Sequence, residues 1–291
     1  MTLHWLQILF LAIVQGLAEM LPVSSSAHVI LAEKWMGLDP SAPEMTFLLV
    51  MLHTGTMFAA LVYFWSRWKS LIFPQGSKKD SHFLKMIVLA TVFTGGLGLT
   101  LKVLIEKIIF EKLMGHEHAE VEHLFKNLPL MGAALFLVGV FIILTSSYEK
   151  KAQTETLTSK QAIWIGLIQG LCLPFRGFSR SGATISTGLY WGVSRKLSEE
   201  FSFALALVIT PPVILLELKR LMKASHTIGE TSPHFLELLT PGLIGMSLSF
   251  ISAWIALKWL SSWLENGRWK FFGYYCLGFS MIVIFTHFNF A

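Results

Sequence analysis

The sequence predicts an all-α polytopic membrane protein, an inverted-topology repeat with six transmembrane helices plus two re-entrant helical hairpins. Three observations predict it. Of the 291 residues, 54% are hydrophobic and only 14% are charged, with a mean hydropathy of +0.61. A soluble domain carries about 25% charged residues, so this chain cannot cover its surface with polar groups. Several uncharged runs are also long enough to cross a bilayer, which takes ~20 apolar residues as a helix. Finally, two polar breaks match each other. Gln15-Gly16-Leu17 runs through Pro22 to Ser24-Ser25-Ser26, and Gln169-Gly170-Leu171 runs through Pro174 to Ser179-Arg180-Ser181.

The first element, Leu3–Trp35, has an apolar arm, a Pro/Ser interruption and a second arm too short to cross alone. It is expected to enter and leave on one side. A non-helical tip at membrane depth is tolerable only where protein buries it or it lines a watery cavity. Met1–Ala18 lacks a basic start, and cleavage there would discard the first motif, so it is not read as a signal peptide. Full spans follow at Met45–Ser66, Leu84–Ile105 and Asn127–Tyr148, with Lys102 snorkelling toward an interface. Gln161–Trp191 repeats the broken design, and Phe201–Leu218 (with Glu217 near its end), Leu238–Leu257 and Phe271–Ala291 complete the set.

The polar stretch Glu149–Lys160 divides the chain into repeats 1–154 and 155–291. Landmarks recur in order, Trp35-Met36-Gly37 with Tyr190-Trp191-Gly192 and Thr94-Gly95-Gly96 with Pro241-Gly242. Three spans per half is an odd number, so the second half enters upside down. Loop 66–85, with Arg67, Lys69, Lys78, Lys79 and Lys85 against Asp80, marks the cytoplasmic side. Loops 149–160 (Lys150, Lys151), 193–200 and 258–270 fall there too, and both termini face outward. The bias is moderate, because Lys219, Arg220 and Lys223 fall outside. The net charge of +5 is spread over loops and fits an anionic leaflet, not nucleic acid. Cys172 and Cys276 lie in apolar segments without metal spacing, and no disulfide is expected.

Glu19 is the most informative charge. It shares a helical face with Gln15 at i, i+4. A carboxylate at membrane depth costs roughly 2.5–3.5 kcal/mol on insertion scales and usually faces a cavity or a partner. Metal ligand, general base and structural hydrogen bond are the readings open to it. Ser24, Ser25 and Ser26 occupy N-cap positions, and a helix N-terminus with hydroxyls beside it is also an anion site. His28 falls on the face of Ser25, and a hydroxyl with an imidazole in reach is the pairing that activates a nucleophile. Capping alone and a merely hydrogen-bonded histidine are the bland alternatives.

Ser179-Arg180-Ser181-Gly182 repeats the design with a cation in place of the carboxylate. A guanidinium fork binds phosphate bidentately. Ser24, Ser26, Ser179, Arg180, Ser181, Gly182 and Thr184 are therefore the candidate phosphate-binding residues. Brought together, the two tips suit a phosphate ester or pyrophosphate, or a transported anion. His53-Thr54-Gly55-Thr56 in the first full span is read as packing or as support around the site, with His53 reaching the site as the lesser alternative. His116, His118 and His123 are read as part of a solvated loop, with a metal site there as the lesser alternative.

On these residues the chain resembles the undecaprenyl-pyrophosphate phosphatases of bacterial membranes, also called bacitracin-resistance proteins, over essentially its whole length. Their signatures are (Glu/Gln)-x-x-x-Glu running into Pro-Val-Ser-Ser-x-x-His, and Pro-Gly-x-Ser-Arg-Ser-Gly. Here they read Gln15 to Glu19, then Pro22-Val23-Ser24-Ser25-Ser26-Ala27-His28, and Arg176-Gly177-Phe178-Ser179-Arg180-Ser181-Gly182. Ala27 stands where Gly is usual, and Arg176 where Pro is usual.

The resemblance implies that Glu19, Ser25, His28 and Arg180 form the essential site. It implies dependence on a divalent cation, Mg2+ or Ca2+, with Glu19 and Gln15 as the residues to hold it. It also implies a site open to the outer side of the bacterial cytoplasmic membrane. The expected reaction is hydrolysis of undecaprenyl pyrophosphate to the monophosphate and inorganic phosphate, recycling a carrier lipid for cell-wall synthesis and conferring bacitracin resistance. Ser25 attacks with help from His28 or Glu19, or water attacks directly while Ser25 positions the phosphate. The alternative is a transporter or flippase of the lipid phosphate using the same pocket. The partners implied are the lipid substrate and the membrane, with no nucleic acid and with a homodimer left open.

Overall fold

The structure, a computed structural model, describes residues 4–39, 42–73, 82–107, 127–148, 154–227 and 233–289. Among them the chain forms α1 (Trp5–Met20), α2 (Ser25–Trp35), α3 (Pro43–Ile72), α4 (His82–Leu104), α5 (Leu128–Ser146), α6 (Ser159–Cys172), α7 (Arg180–Tyr190), α8 (Arg195–Thr227), α9 (Pro233–Glu265) and α10 (Trp269–Asn289). Helices α3, α4, α5, α8, α9 and α10 supply the 6 segments long and apolar enough to cross a membrane. They are the spans expected, in the expected order. The protein is an all-α, multi-pass membrane protein. Each of its two short helix pairs, α1–α2 and α6–α7, precedes three long helices.

Local chemistry sets the ends. Pro22 follows α1, Ser24 caps α2, Thr158 and Gln161 form a capping box for α6, and Ser179 caps α7. Inside α8, Pro211 and Pro212 remove the N–H groups that would reach back to Leu207 and Val208. The stretch between the halves is pinned at Thr154, whose N–H and carbonyl bond Gly192 and Ser194 at 3.0 Å each.

Packing crosses between the halves. The first arm of each short pair lies on the middle long helix of the other half, α1 on α9 and α6 on α4. The matched glycines make this possible. A Cβ on Gly16 would run into Ser252 and the Ser249 carbonyl of α9, and one on Gly170 would stand 2.8 Å from the Thr94 carbonyl of α4. Hydroxyls then bridge the close contacts, from Ser252 to the Ala12 carbonyl at 3.2 Å and from Thr94 to the Gly166 carbonyl at 2.9 Å. Helices α5 and α10 pack together, as do α3 and α8. Outward-facing side chains such as Phe10, Val62, Trp65, Leu137, Leu215 and Phe285 are exposed, as a lipid-facing surface requires.

Several loop readings need correction: Arg67 and Lys69 lie within α3, Lys85 within α4 and Lys258 within α9. Residues 193–200 are not a loop, because α8 begins at Arg195 and buries Glu199 and Glu200 within it. Partners distant in sequence make this possible. Arg67 Nε, on α3 and not in a loop, donates to Glu200 at 3.0 Å, and Ser261 Oγ donates to Glu199 at 2.6 Å. Lys78, Lys79, Asp80, His116, His118, His123, Lys150 and Lys151 lie outside the described residues.

Candidate active site

The first tip is held in an unfavourable turn. Ser24 has φ +67°, which a residue with a Cβ rarely adopts and which costs roughly 1–3 kcal/mol. Two bonds support it. The Ser24 carbonyl accepts from His28 Nδ1 at 2.8 Å, and Ser24 Oγ caps α2 by accepting from the Ala27 N–H at 3.4 Å. Ser25 is thereby turned back toward α1, and its Oγ donates to Glu19 Oε2 at 2.5 Å. Gln15 Nε2 donates to the same oxygen at 3.2 Å.

The second tip brings a cation to that carboxylate. Gly177 has φ +100° and lies against the Met131 backbone, where a Cβ would collide. Ser179 Oγ then caps α7 by accepting from the Gly182 N–H at 3.3 Å. Arg180, the first residue of α7, sends Nη2 to Glu19 Oε1 at 3.3 Å and Nη1 to the Ser202 carbonyl at 3.4 Å. Its guanidinium also lies over the Phe203 ring at 5.9 Å. Ser181 Oγ closes the seam by donating to the Leu21 carbonyl at 3.3 Å. The acid and the base share one site, with side chains 19% and 22% exposed, so the pair is enclosed yet reachable.

A cleft opens beside this pair, with Glu19, Arg180, His53, Thr56, Phe203 and Thr210 among its lining. From the helix ends, 1.5 Å per residue puts His53 roughly 15 Å along α3 and Phe203 roughly 12 Å along α8.

Several sequence expectations change here. The hydroxyl–imidazole pair of Ser25 with His28 does not form. Ser25 faces Glu19, while His28 Nε2 is 2.7 Å from the Tyr275 hydroxyl and the His28 ring stacks 3.8 Å from that of Phe279. Of the candidate phosphate-binding residues, Arg180 lines the cleft. Ser24, Ser179, Ser181, Gly182 and Thr184 are instead buried in bonds that build the tips, Thr184 Oγ1 lying 2.6 Å from Ser202 Oγ. Ser26 is half-buried at the start of α2.

The expected metal pair also differs. A carboxylate can only accept, so Gln15 turns its amide N–H, not its oxygen, to Glu19, whose two oxygens also accept from Ser25 and Arg180. One carboxylate already engaged by three donors does not fit a resident Mg2+ or Ca2+, which needs several oxygen ligands.

His53, which the sequence offered only as the lesser alternative, lies at the site, and Phe203 and Ser202 are the residues that sequence reading passed over. His53 Nε2 stands 4.0 Å from Glu19 Oε2, and its side chain is 41% exposed to the cleft. The available signal was its i, i+3 relation to Thr56, which puts a second polar group on one face of an apolar span.

Comparison with known proteins bears on this geometry. The family described as bacitracin resistance protein BacA matches residues 8–282. The chain is 56% identical over 282 residues to undecaprenyl-diphosphatase 2 of Acinetobacter baylyi, covering 96% of each chain. It is 34% identical over 283 residues to undecaprenyl-diphosphatase 1 of Burkholderia pseudomallei strain 1106a, covering 93% of this chain and 92% of the relative. It is 32% identical over 281 residues to an undecaprenyl-diphosphatase of Rhodopirellula baltica, covering 96% of each.

Proposed function

The chain belongs to the bacitracin resistance protein BacA family, and from that footing we infer that it hydrolyses undecaprenyl pyrophosphate to the lipid monophosphate and inorganic phosphate. The observation that carries the site assignment is the shared carboxylate of Glu19, with Ser25 Oγ on one oxygen and Arg180 on the other. That constellation holds a hydroxyl, a proton acceptor and a guanidinium where a terminal phosphate can meet all three. The relatives are phosphatases by name and lend no support to the transporter reading.

Phosphoryl transfer leaves little covalent work for the protein, so placement and charge dominate. Ser25 Oγ attacks the terminal phosphorus and passes its proton to Glu19 Oε2. The bond to the bridging oxygen breaks, and the lipid monophosphate departs as an anion needing no proton. Arg180 moves its fork from Glu19 to the phosphoryl oxygens as Glu19 becomes neutral. The first N–H groups of α2, at Ser25 and Ser26, lack intrahelical partners and add to the anion site. His28 acts through position, because its bond to the Ser24 carbonyl and its anchorage on Tyr275 and Phe279 hold the turn that aims Ser25. A divalent cation enters as the counter-ion of the pyrophosphate, as part of the substrate.

The two short pairs are re-entrant hairpins of inverted repeats 1–154 and 155–291, supported by the exchange-related packing of α1 on α9 and α6 on α4. The protein lies in the bacterial cytoplasmic membrane with its site open outward. Basic residues Arg195, Lys196, Lys258, Arg268 and Lys270 gather at one end, and the cleft lies further along α8 from that end. The test is release of inorganic phosphate from a prenyl pyrophosphate in detergent with Mg2+ or Ca2+. Binding of the lipid without release under any such condition would overturn the reading.

A further inference from the structure

Two histidines project from helices near the site, and their Nδ1 atoms are used alike. His28 Nδ1 bonds the Ser24 carbonyl and His53 Nδ1 bonds the Leu49 carbonyl, each at 2.8 Å. A carbonyl only accepts, so Nδ1 carries the hydrogen in both rings, and in the neutral ring Nε2 is left as an acceptor. The rings differ at Nε2. That of His28 is engaged by the Tyr275 hydroxyl at 2.7 Å. That of His53 has no hydrogen-bond partner within 3.5 Å among the described residues; it faces the cleft, 4.0 Å from Glu19 Oε2. The separation is longer than a hydrogen bond and the cleft is open on that side.

We propose that His53 is a catalytic residue, the base for the water that cleaves the phosphate from Ser25. This rests on the reading of Ser25 as the nucleophile. The first transfer leaves a phosphorylated Ser25 and a protonated Glu19, so the carboxyl group that took the serine proton cannot also take one from water. A second acceptor is needed beside the same phosphorus, and His53 Nε2 is the group placed to serve. In the second step a water oxygen bonds to phosphorus while its proton passes to His53 Nε2. The bond from phosphorus to Ser25 Oγ breaks, and the proton held on Glu19 returns to Oγ. The imidazolium then loses its proton to solvent through the cleft, and all three groups are restored. Glu19 and His53 therefore divide the two half-reactions, and the close approach of their side chains is what lets one phosphorus serve both.

Rapid quench of wild type, His53→Gln and His53→Ala with a prenyl pyrophosphate radiolabelled in its terminal phosphate tests the assignment. Expected are a burst of about one labelled phosphoryl group bound per enzyme in the variants, placed on Ser25 by peptide mapping, and a steady rate of phosphate release lowered roughly 10²- to 10⁴-fold. Added imidazole is expected to restore phosphate release by His53→Ala without changing the burst. That rescue separates a lost base from a misfolded chain. A variant with the wild-type steady rate, or a slow one with neither burst nor imidazole rescue, would overturn the role of His53 and leave Ser25 as nucleophile untouched. Imidazole rescue without any phosphoserine, the two products appearing together, would instead refute the covalent route and this step with it.

Discussion

Arg180 and Glu19 come from opposite halves of the chain, yet Nη2 of one lies 3.3 Å from Oε1 of the other. Neither side chain leaves the pair for lipid. Arg180 also reaches the Ser202 carbonyl and Phe203, and Glu19 also receives Ser25 and Gln15. In the free enzyme each charge neutralises the other. A bound pyrophosphate competes with Glu19 for the guanidinium.

That competition gives the first prediction. Arg180→Ala lowers kcat/KM for phosphate release at least about a thousand-fold, the scale on which a phosphate-clamping arginine acts. Arg180→Lys recovers little of it, because an ammonium has no planar fork to span two oxygens. Near-wild-type kinetics in the lysine variant would show that bidentate clamping plays no part.

His28 is predicted to matter through geometry. His28→Ala releases the Ser24 carbonyl and the Tyr275 hydroxyl together, so kcat falls while the shape of the pH–rate profile stays the same. Tyr275→Phe, which removes only the outer support, costs about tenfold or less. A lost limb in the pH profile of His28→Ala, measured across the stable range, would return His28 to the chemistry.

The matched glycines should be intolerant where other glycines are not. Gly16→Ala and Gly170→Ala push a methyl into the facing helix and destabilise by about 1–3 kcal/mol, the usual cost of overpacking. Gly95→Ala and Gly96→Ala meet open space in α4 and are neutral or stabilising, since alanine is the better helix former by about 1 kcal/mol. Thermal unfolding in detergent compares the four. Equal effects would remove the packing explanation for the Gln-Gly-Leu repeat.

Arg176 stands where it acts on a buried carboxyl group of the first tip. Glu33 on α2 is fully enclosed, neither of its carboxylate oxygens has a hydrogen-bond partner among the described residues, and Arg176 on the other tip supplies a positive charge that acts on it. Arg176→Pro should therefore lower Tm by several degrees, and Glu33→Gln in the same chain should recover most of the loss. Neither residue lines the cleft, so activity per folded molecule stays within about threefold. Additive losses in the double variant would show that the two charges are uncoupled.

The fold was legible because membrane spans depend on composition over a long window, and because both tips repeat a Gln-Gly-Leu with proline and serines at similar offsets. The Glu19 and Arg180 pairing was legible for the same reason, since duplicated tips of opposite charge have one sensible place to meet. The choice between His28 and His53 was not. Both rings bond the carbonyl four residues earlier in the chain, and only the arrival of Tyr275 at one and the cleft at the other tells them apart. Glu199 and Glu200 were misplaced for a related reason. Their partners Ser261 and Arg67 lie far off in sequence, and no local pattern announces them.

The most direct test is an experimental structure with a non-hydrolysable prenyl methylene-bisphosphonate bound. The terminal phosphonate is predicted to lie between Ser25 Oγ and the Arg180 fork, within hydrogen-bonding distance of both, with Glu19 released from Arg180. A bisphosphonate seated elsewhere, or touching one tip while the other stays closed on itself, would contradict the shared site.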